Sequence, residues 1–148
     1  SVLAGWGGSF PLFAGEIAAA AGVRNVSRVL TFKLGASGQL PPLQETVLEL
    51  DPPPLIENPE AIARGKQLYS DRCMVCHGDG AVGGGVIPDL RYLDATKHQM
   101  WMGIVIGGMH QQRGMVSFAG VLTQQDATDI QAFVIERAHA LLESQQEK

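Results

Sequence analysis

The sequence has only two cysteines among 148 residues, Cys73 and Cys76, and neither a second cysteine pair nor a pair of neighbouring histidines accompanies them. A structural zinc site needs four protein ligands, which are usually supplied as two such pairs. This scarcity of ligands argues against a zinc-stabilised fold.

The chain also lacks clustered positive charge and long apolar runs. Eleven Lys and Arg residues face fifteen Asp and Glu residues, which gives a net charge of −4. Nucleic acid is therefore not the expected partner, because phosphate binding needs concentrated positive charge. Apolar runs such as Ala18–Ala21 are too short to cross a bilayer.

The first residues, Ser-Val-Leu-Ala-Gly, lack the charged and then apolar start of a signal peptide. Either such a peptide has been removed, or the chain is a piece of a longer protein, and we favour the second interpretation. The length is enough to bury one ordinary core.

Residues 1–37 are rich in glycine and small apolar residues, and they end in the segment NVSRVLTFKL (25–34). The near-alternation of this segment predicts a half-buried strand, which Gly35 closes. The predicted inner face carries Val26, Arg28, Leu30, Phe32 and Leu34. A single strand needs neighbours, so we interpret residues 1–37 as the end of a sheet whose remainder is missing. Residues 38–57 contain Pro41-Pro42 and Pro52–Pro54, which is typical of a semi-rigid linker at a domain boundary.

Residues 58–148 have a helical pattern. In the first predicted helix Asn58 is the N-cap and Pro59 the first helical residue. Its apolar face carries Ile62, Gly65, Leu68 and Tyr69. A second helix is predicted from Asp94 through Trp101 to Gly107-Gly108, although MWMGIVI (100–106) fits a strand equally well.

The last predicted helix has the clearest start. Thr123 and Asp126 have the spacing of a capping box. Apolar and amphipathic residues then recur at helical spacing, namely Ile130, Phe133, Val134, Arg137 and Leu141.

The segment CMVCH (73–77) predicts covalent attachment of a haem c. Thiols three residues apart lie side by side on one helical turn, so both can form thioethers with the two vinyl groups of one porphyrin. His77 falls on the same face as the proximal iron ligand. A thioredoxin-like pair would need a βαβ setting, and a plain disulfide would leave His77 without a role. Thioethers of this kind form outside the cytoplasm, so the motif predicts a periplasmic, exported protein.

A methionine loop follows in the sequence and offers a second iron ligand. Met115 lies 38 residues beyond His77 and is the predicted distal ligand, with Met109 in reserve. Gly114 is expected to allow close backbone approach, while Val116 and Phe118 are expected to exclude water. Met74 lies inside the attachment turn, and Met100 and Met102 are expected to pack in the core.

Histidines are the alternative distal ligands. For His98, His110 and His139 we expect exposure at the surface rather than ligation. A thioether favours ferrous iron, so His77/Met115 ligation would give a higher reduction potential than two imidazoles.

Residues 58–148 resemble class I cytochrome c, a mainly α fold of few helices around a covalent haem. The resemblance rests on Gly65, Tyr69, CMVCH, Pro88, the methionine loop and Phe133. It implies that the first and last helices cross at Gly65 and Phe133. It also implies that the Pro88 carbonyl accepts a hydrogen bond from His77.

One branch is more similar still. The segments CHGDGAVGGGVIPDLRYL, GMVSFAGVLT and DPPP resemble the C-terminal cytochrome domain of quinohaemoprotein alcohol dehydrogenases. GWGGSFPL and RVLTFKLG resemble the last strands of the β-propeller that precedes it there. The resemblance implies that Arg91, Tyr92 and Trp101 lie near the haem propionates, the alternative for Arg91 and Tyr92 being an ordinary polar surface.

The same resemblance implies the partners. In that family the propeller holds pyrroloquinoline quinone (PQQ) and calcium, oxidises an alcohol, and passes electrons to the haem. This chain has only the tail of a propeller, so neither PQQ, calcium nor dehydrogenase activity is expected of it alone. The acceptor is expected to be a small copper protein, a cytochrome or a membrane complex.

Two other functions stay open at this point. One is a five-coordinate haem protein with peroxidase or gas-binding activity. Cytochromes of the c′ kind carry the attachment motif near the C-terminus, whereas 71 residues follow His77 here. The other is a docking element, in which residues 1–57 bind a partner and the haem serves mainly structure.

Overall fold

The computed structural model describes residues 1–5, 10–21, 26–42, 48–84 and 87–147. The described residues form six α-helices, three 3₁₀ turns and one two-stranded sheet, so the predicted mainly α fold with a short β segment is confirmed. In chain order the strands and helices are β1 (Val2–Ala4), α1 (Phe10–Ala20), β2 (Arg28–Leu30), α2 (Pro59–Arg72), α3 (Met74–His77), α4 (Ala95–Gln99), α5 (Trp101–Val105) and α6 (Gln124–Gln146). The 3₁₀ turns are Asp79–Ala81, Leu90–Tyr92 and Gln111–Arg113.

The β segment is smaller than the sequence predicts. β1 and β2 pair antiparallel, with Val2 opposite Leu30. The predicted alternation holds from Val26 to Leu30, but Phe32 is 76% exposed and follows the end of the strand. Pairing with one short strand supports only three residues of β2, so the predicted strand over 25–34 is wrong in length; Asn25 lies outside the described residues.

Residues 1–37 also contain a helix that the sequence did not predict. α1 packs against the turn that follows the CMVCH segment. Its Gly15 is buried, and a Cβ there would lie 3.3 Å from the carbonyl oxygen of Val82. Ala18 is buried as well. Of the propeller-like segment GWGGSFPL, residues 6–9 lie outside the described residues.

The proline-rich linker has neither helix nor strand in its described parts, 38–42 and 48–57. Residues 43–47 lie outside the described part of the chain. The linker is tied to α6 at one point, where Nε2 of His139 and the carbonyl oxygen of Pro53 are 2.9 Å apart. His139 is therefore half-buried, and its predicted exposure is wrong.

α2 and α6 form the centre of the molecule. The Asn58 side chain caps α2 by accepting from the backbone N–H of Ala61, as predicted. At the crossing, a Cβ on Gly65 would lie only 1.9 Å from the carbonyl oxygen of Asp129. One turn further, the rings of Tyr69 and Phe133 pack with centroids 5.2 Å apart. Glycine thus allows the backbones to meet, and the aromatic pair fills the space beside them.

The predicted second helix is broken into two. The helical segment begins at Asp94 as predicted, and the Asp94 side chain caps α4, but Met100 has a non-helical ψ of 1° and separates α4 from α5. MWMGIVI is therefore helical rather than a strand. The segment ends before Gly108, whose φ of +69° suits glycine.

α6 begins with the predicted capping box of Thr123 and Asp126. Its buried face joins a core cluster, which consists of Tyr69, Ala81, Trp101, Val105, Leu122, Ala127, Ile130, Phe133 and Val134. Among the predicted face residues of α6, Arg137 and Leu141 are only half-buried.

Candidate cofactor site

The two cysteines and the adjacent histidine lie on one helical turn, as predicted. Cys73 ends α2 and begins α3, and its carbonyl oxygen accepts hydrogen bonds from the N–H groups of Cys76 and His77, at 3.1 and 2.9 Å. We call residues 73–77 the attachment turn. Cys73 and Cys76 are not joined by a disulfide.

The two thiols differ in environment. Cys73 is half-buried and packs against the core cluster, whereas Cys76 is exposed. Burial raises the pKa of Cys73 to about 11, and the negative charge of Cys76 adds to the effect. Cys73 is therefore a neutral thiol at neutral pH, which is unsuited to a reactive redox pair.

His77 has a buried, unpaired nitrogen. Its Nδ1 makes no hydrogen bond of good geometry within the described residues. Burial lowers the pKa of His77, and the backbone carbonyl of Pro88 opposes that effect, so this carbonyl lies beside the imidazole ring. The predicted bond from His77 to Pro88 stays a prediction.

The position of Pro88 is set by a glycine. A Cβ on Gly83 would lie 2.5 Å from the carbonyl carbon of Pro88 and 2.4 Å from the backbone nitrogen of Asp89. Only glycine permits two backbone segments to approach so closely. The loop after the attachment turn thereby holds the Pro88 carbonyl in place.

Tyr69 supports the attachment turn, and sequence reasoning missed this role. Its hydroxyl donates a 2.8 Å hydrogen bond to the carbonyl oxygen of Gly78, the residue after His77. Burial raises the pKa of Tyr69 well above its usual value, so the hydroxyl stays protonated. Helical spacing placed Tyr69 on the apolar face of the first predicted helix, but no local signal identified its acceptor.

Arg91 is buried and held by Asp89. Its Nε and Nη2 donate to the two carboxylate oxygens of Asp89, at 3.0 and 2.7 Å. The alternative of an ordinary surface residue is therefore wrong for Arg91, while Tyr92 is half-buried. A guanidinium has five N–H donors, so this pair leaves Arg91 able to bind a further anion.

Trp101 is buried and already has a partner for its indole N–H. Its Nε1 donates a 2.7 Å hydrogen bond to the carbonyl oxygen of Ala127 in α6. The bond anchors α5 to α6, which is a structural role. A position near a haem propionate stays a prediction for Trp101, but its single donor is not free to bind one.

The predicted surface exposure of His98 is wrong. It is only 7% exposed and stacks on Trp101, with ring centroids 6.1 Å apart. Its Nε2 is buried without a partner among the described residues, and its carbonyl oxygen accepts from Nε2 of Gln131. The burial of His98 involves Trp101 and Gln131, and no local pattern indicated the contact with Gln131 of α6. His110 is half-buried rather than fully exposed.

Several hydrogen bonds fix the methionine loop to α5, and one of them runs from the N–H of Met109 to the carbonyl oxygen of Gly103 at 3.0 Å. Ser117 Oγ donates to the carbonyl oxygen of Ile106 at 2.6 Å, and the N–H of Phe118 donates to that of Val105 at 3.0 Å. Met115 is half-buried and packs against the core cluster, whereas Met109 is 52% exposed. Met115 is thus the methionine of this loop that the fold turns toward the core.

Two details of this loop differ from expectation. Gly114 has nothing within 4 Å of a Cβ position, so glycine is required there by a φ of +94° and not by close approach. Val116 is 59% exposed, so of the two predicted walls only Phe118 packs inward. Met102 packs against the core cluster as expected, but Met100 is exposed.

The residues present fit a flat apolar cofactor. Apolar side chains of the attachment turn, the 3₁₀ turn at Leu90, α5 and the methionine loop are only partly buried against one core cluster, among them Cys73, Met74, Leu90, Met102, Met115 and Phe118. His77 adds a buried nitrogen without a partner. Among the described residues no cluster of three His, Cys, Asp or Glu side chains could hold a bare metal ion. The helical fold and this site define a c-type cytochrome domain, which implies a haem.

Residues 60–134 match the family model described as "Cytochrome C oxidase, cbb3-type, subunit III". The chain belongs to this family of cytochrome c domains. It is also homologous to the cytochrome c region of quinohaemoprotein alcohol dehydrogenases, as the resemblance predicted. One relative is quinohemoprotein alcohol dehydrogenase ADH-IIG of Pseudomonas putida, 44% identical over 94% of this chain. Another is ADH IIB of the same species, 37% identical over 94% of this chain.

A solved structure agrees with the sequence relatives. The structure of quinohemoprotein alcohol dehydrogenase ADHIIG from Pseudomonas putida HK5 matches 95% of this chain with a TM-score of 0.80 and 42% identity. The chain covers only 20% of that structure, and 19% of the curated ADH-IIG sequence. It thus corresponds to about a fifth of these bacterial dehydrogenases. No helix among the described residues has the length and apolarity to cross a membrane.

Proposed function

We propose that this chain is the electron-transfer module of a PQQ-dependent alcohol dehydrogenase. Cys73 and Cys76 would bind the two vinyl groups of a haem c, and His77 and Met115 would bind its iron from opposite sides. When bound, a haem c accepts and releases one electron at a time with little change in ligation. Arg91 and Tyr92 would lie near its propionates, Arg91 as an anion-binding cation.

The attachment turn carries this proposal. It places the side chains of Cys73, Cys76 and His77 on one helical turn. Residues outside the attachment turn hold its backbone and the His77 ring in position. The Tyr69 hydroxyl holds the backbone after His77, the Pro88 carbonyl acts on the His77 ring, and Phe118 of the methionine loop packs against the core cluster.

The donor and acceptor are inferred from the relatives. Their names describe quinohaemoprotein alcohol dehydrogenases, so the proposed donor is a PQQ- and calcium-containing dehydrogenase domain. The proposed acceptor is a small redox protein or a membrane complex. Because haem thioethers form outside the cytoplasm, we place the protein in the bacterial periplasm. We expect no alcohol oxidation by this chain alone.

An intact mass spectrum of the purified chain tests the cofactor. We expect the mass of the polypeptide plus one haem, with pigment that acidic acetone does not extract. The thiols react with vinyl groups by addition, so both cysteines become unavailable to alkylation. A colourless chain, or one that loses its pigment to acidic acetone, contradicts the proposal.

Met115→Ala tests the distal ligand. We expect the reduced variant to bind carbon monoxide rapidly and its reduction potential to fall, because a thioether stabilises ferrous iron. Met109→Ala is the matched control, since Met109 lies in the same loop but is exposed; it should change neither property. Rapid carbon monoxide binding by the unaltered protein would instead support a five-coordinate, gas-binding or peroxidase function. An unchanged potential in Met115→Ala would remove Met115 from the iron.

A further inference from the structure

Among the residues of the cytochrome that α1 contacts are Gly80 and Val82, which follow the attachment turn, and Arg137 of α6. Arg137 of α6 forms an ion pair with Glu16 of α1 through its Nη2. A Cβ on Gly80 would lie 3.0 Å from a carboxylate oxygen of the same Glu16. Gly15, the residue before Glu16, packs against Val82. We call Gly80, Val82 and Arg137 the α1-binding surface.

Small residues make this contact close. A Cβ on Gly15 would lie 3.3 and 3.4 Å from the carbonyl oxygen and Cβ of Val82, which is tighter than ordinary contact. Val82 and Ala18 are both buried. A larger side chain at Gly15 would therefore push α1 off the turn that follows His77.

The ion pair matters because Arg137 has an unsatisfied nitrogen. Its Nε is buried without a hydrogen bond among the described residues, and Glu16 is the carboxylate that its guanidinium contacts. Loss of Glu16 would leave a half-buried cation without its counter-charge, which is less favourable than losing both partners together.

The other side of the N-terminal segment is apolar and exposed. Leu3, Val29 and Phe32 are largely exposed, and Ile17 of α1 is 72% exposed. The relatives match 94% of this chain, α1 included, and are about five times longer. In them the same polypeptide therefore continues beyond this surface.

We propose that α1 is a docking helix. It holds the N-terminal β segment and the electron-donating domain of the same polypeptide against the cytochrome, on the face beside the attachment turn. The identity of the donor rests on the function proposed above. The exposed apolar side of residues 1–34 then packs against that domain, while Gly15 and Glu16 face the cytochrome. The contact fixes the distance between donor and cofactor instead of leaving it to the proline-rich linker.

Hydrogen exchange of the haem-loaded chain, read by mass spectrometry, tests the docking. We expect the amides of residues 10–20 and 79–82 to be protected in the unaltered protein. Gly15→Leu should speed their exchange by about tenfold or more, because a clash with Val82 undocks the helix, while exchange in α2 and α6 stays unchanged. Ile17→Ala alters the exposed side of the same helix and should leave all four regions within about twofold.

A double-mutant cycle on the ion pair gives an independent readout. Glu16→Gln and Arg137→Gln should each speed exchange of residues 10–20 by about threefold or more, and the double variant should exchange no faster than Glu16→Gln. Additive effects would remove the ion pair from the docking contact. Unprotected α1 amides in the unaltered protein, or no effect of Gly15→Leu, would overturn the proposal. If the purified chain carries no covalent haem, the proposed function is contradicted instead. The intact mass detects this outcome independently of the exchange rates.

Discussion

Gly78, directly after His77, has a backbone conformation that other residues do not adopt. Its φ of 81° and ψ of 165° lie in a region that almost only glycine adopts. Its carbonyl oxygen accepts a hydrogen bond from the Tyr69 hydroxyl. Gly78→Ala should therefore lower the free energy of unfolding by about 1–3 kcal/mol. Urea unfolding of the purified protein measures the difference.

Gly120→Ala is the control for this variant, because Gly120 has ordinary φ and nothing within 4 Å of a Cβ position. It should change the free energy of unfolding by less than about 0.5 kcal/mol. Equal stabilities of the Gly78 and Gly120 variants would show that the backbone after His77 relaxes without strain.

The residues that the sequence predicted well are those whose partners lie within a few positions. Cys73, Cys76 and His77 share one helical turn. The side chains of Asn58 and Thr123 each cap a helix by accepting a hydrogen bond from the backbone N–H three residues further on. Tyr69 and His98 have functions that depend on distant backbone and side chains. Their roles required the fold, because no spacing in the sequence encodes an acceptor on another element.

The crossing of α2 and α6 is the element contact most sensitive to side-chain size. A methyl group at Gly65 would overlap the carbonyl of Asp129, so the two helices must move apart. Gly65→Ala should lower the free energy of unfolding by about 3 kcal/mol, even though alanine favours helix more than glycine does. Urea unfolding beside Gly120→Ala provides the measurement and its reference.

A second observable separates helix separation from general damage. The Tyr69–Phe133 ring contact lies one turn from the crossing, so near-ultraviolet circular dichroism should weaken in Gly65→Ala while far-ultraviolet helicity is kept. A variant as stable as the control would mean that the crossing at Gly65 is not tight in solution.

Helices were predictable where caps and apolar spacing agree, and α2 and α6 meet both conditions. α1 was not predicted because its sequence, FPLFAGEIAAA, has few polar positions that would define a helix face. The residues that it contacts also lie far away in the sequence. Glu16 and Arg137 are 121 positions apart. The break at Met100 was not predicted for a related reason: Trp101, the first residue of α5, donates a hydrogen bond to Ala127 in α6, and no local pattern encodes this contact.

The stability of the whole molecule should depend on pH through His98, which is buried against Trp101 and Gln131. Burial lowers the pKa of His98 below its usual value, and the negative charge of Asp94 partly opposes this. The folded state therefore binds a proton at His98 less readily than the unfolded state does. Stability from this group is fully present above pH 6.5 and is lost as pH falls through the unfolded value toward the folded one.

His98→Gln removes this proton linkage and isolates it from other groups. The unaltered protein should lose stability between pH 7.5 and 5, with a slope from this group of at most about 1.4 kcal/mol per pH unit, and the variant should lose less. The difference in free energy of unfolding between the two proteins should shrink as pH falls. Asp94 and Asp126 have lowered pKa values, so their contribution is lost only at more acidic pH. A cavity of about 590 Å³ lies beside His98, between the linker and α6. If the plots of unfolding free energy against pH are parallel for the two proteins, water in this cavity hydrates the imidazole in the folded state.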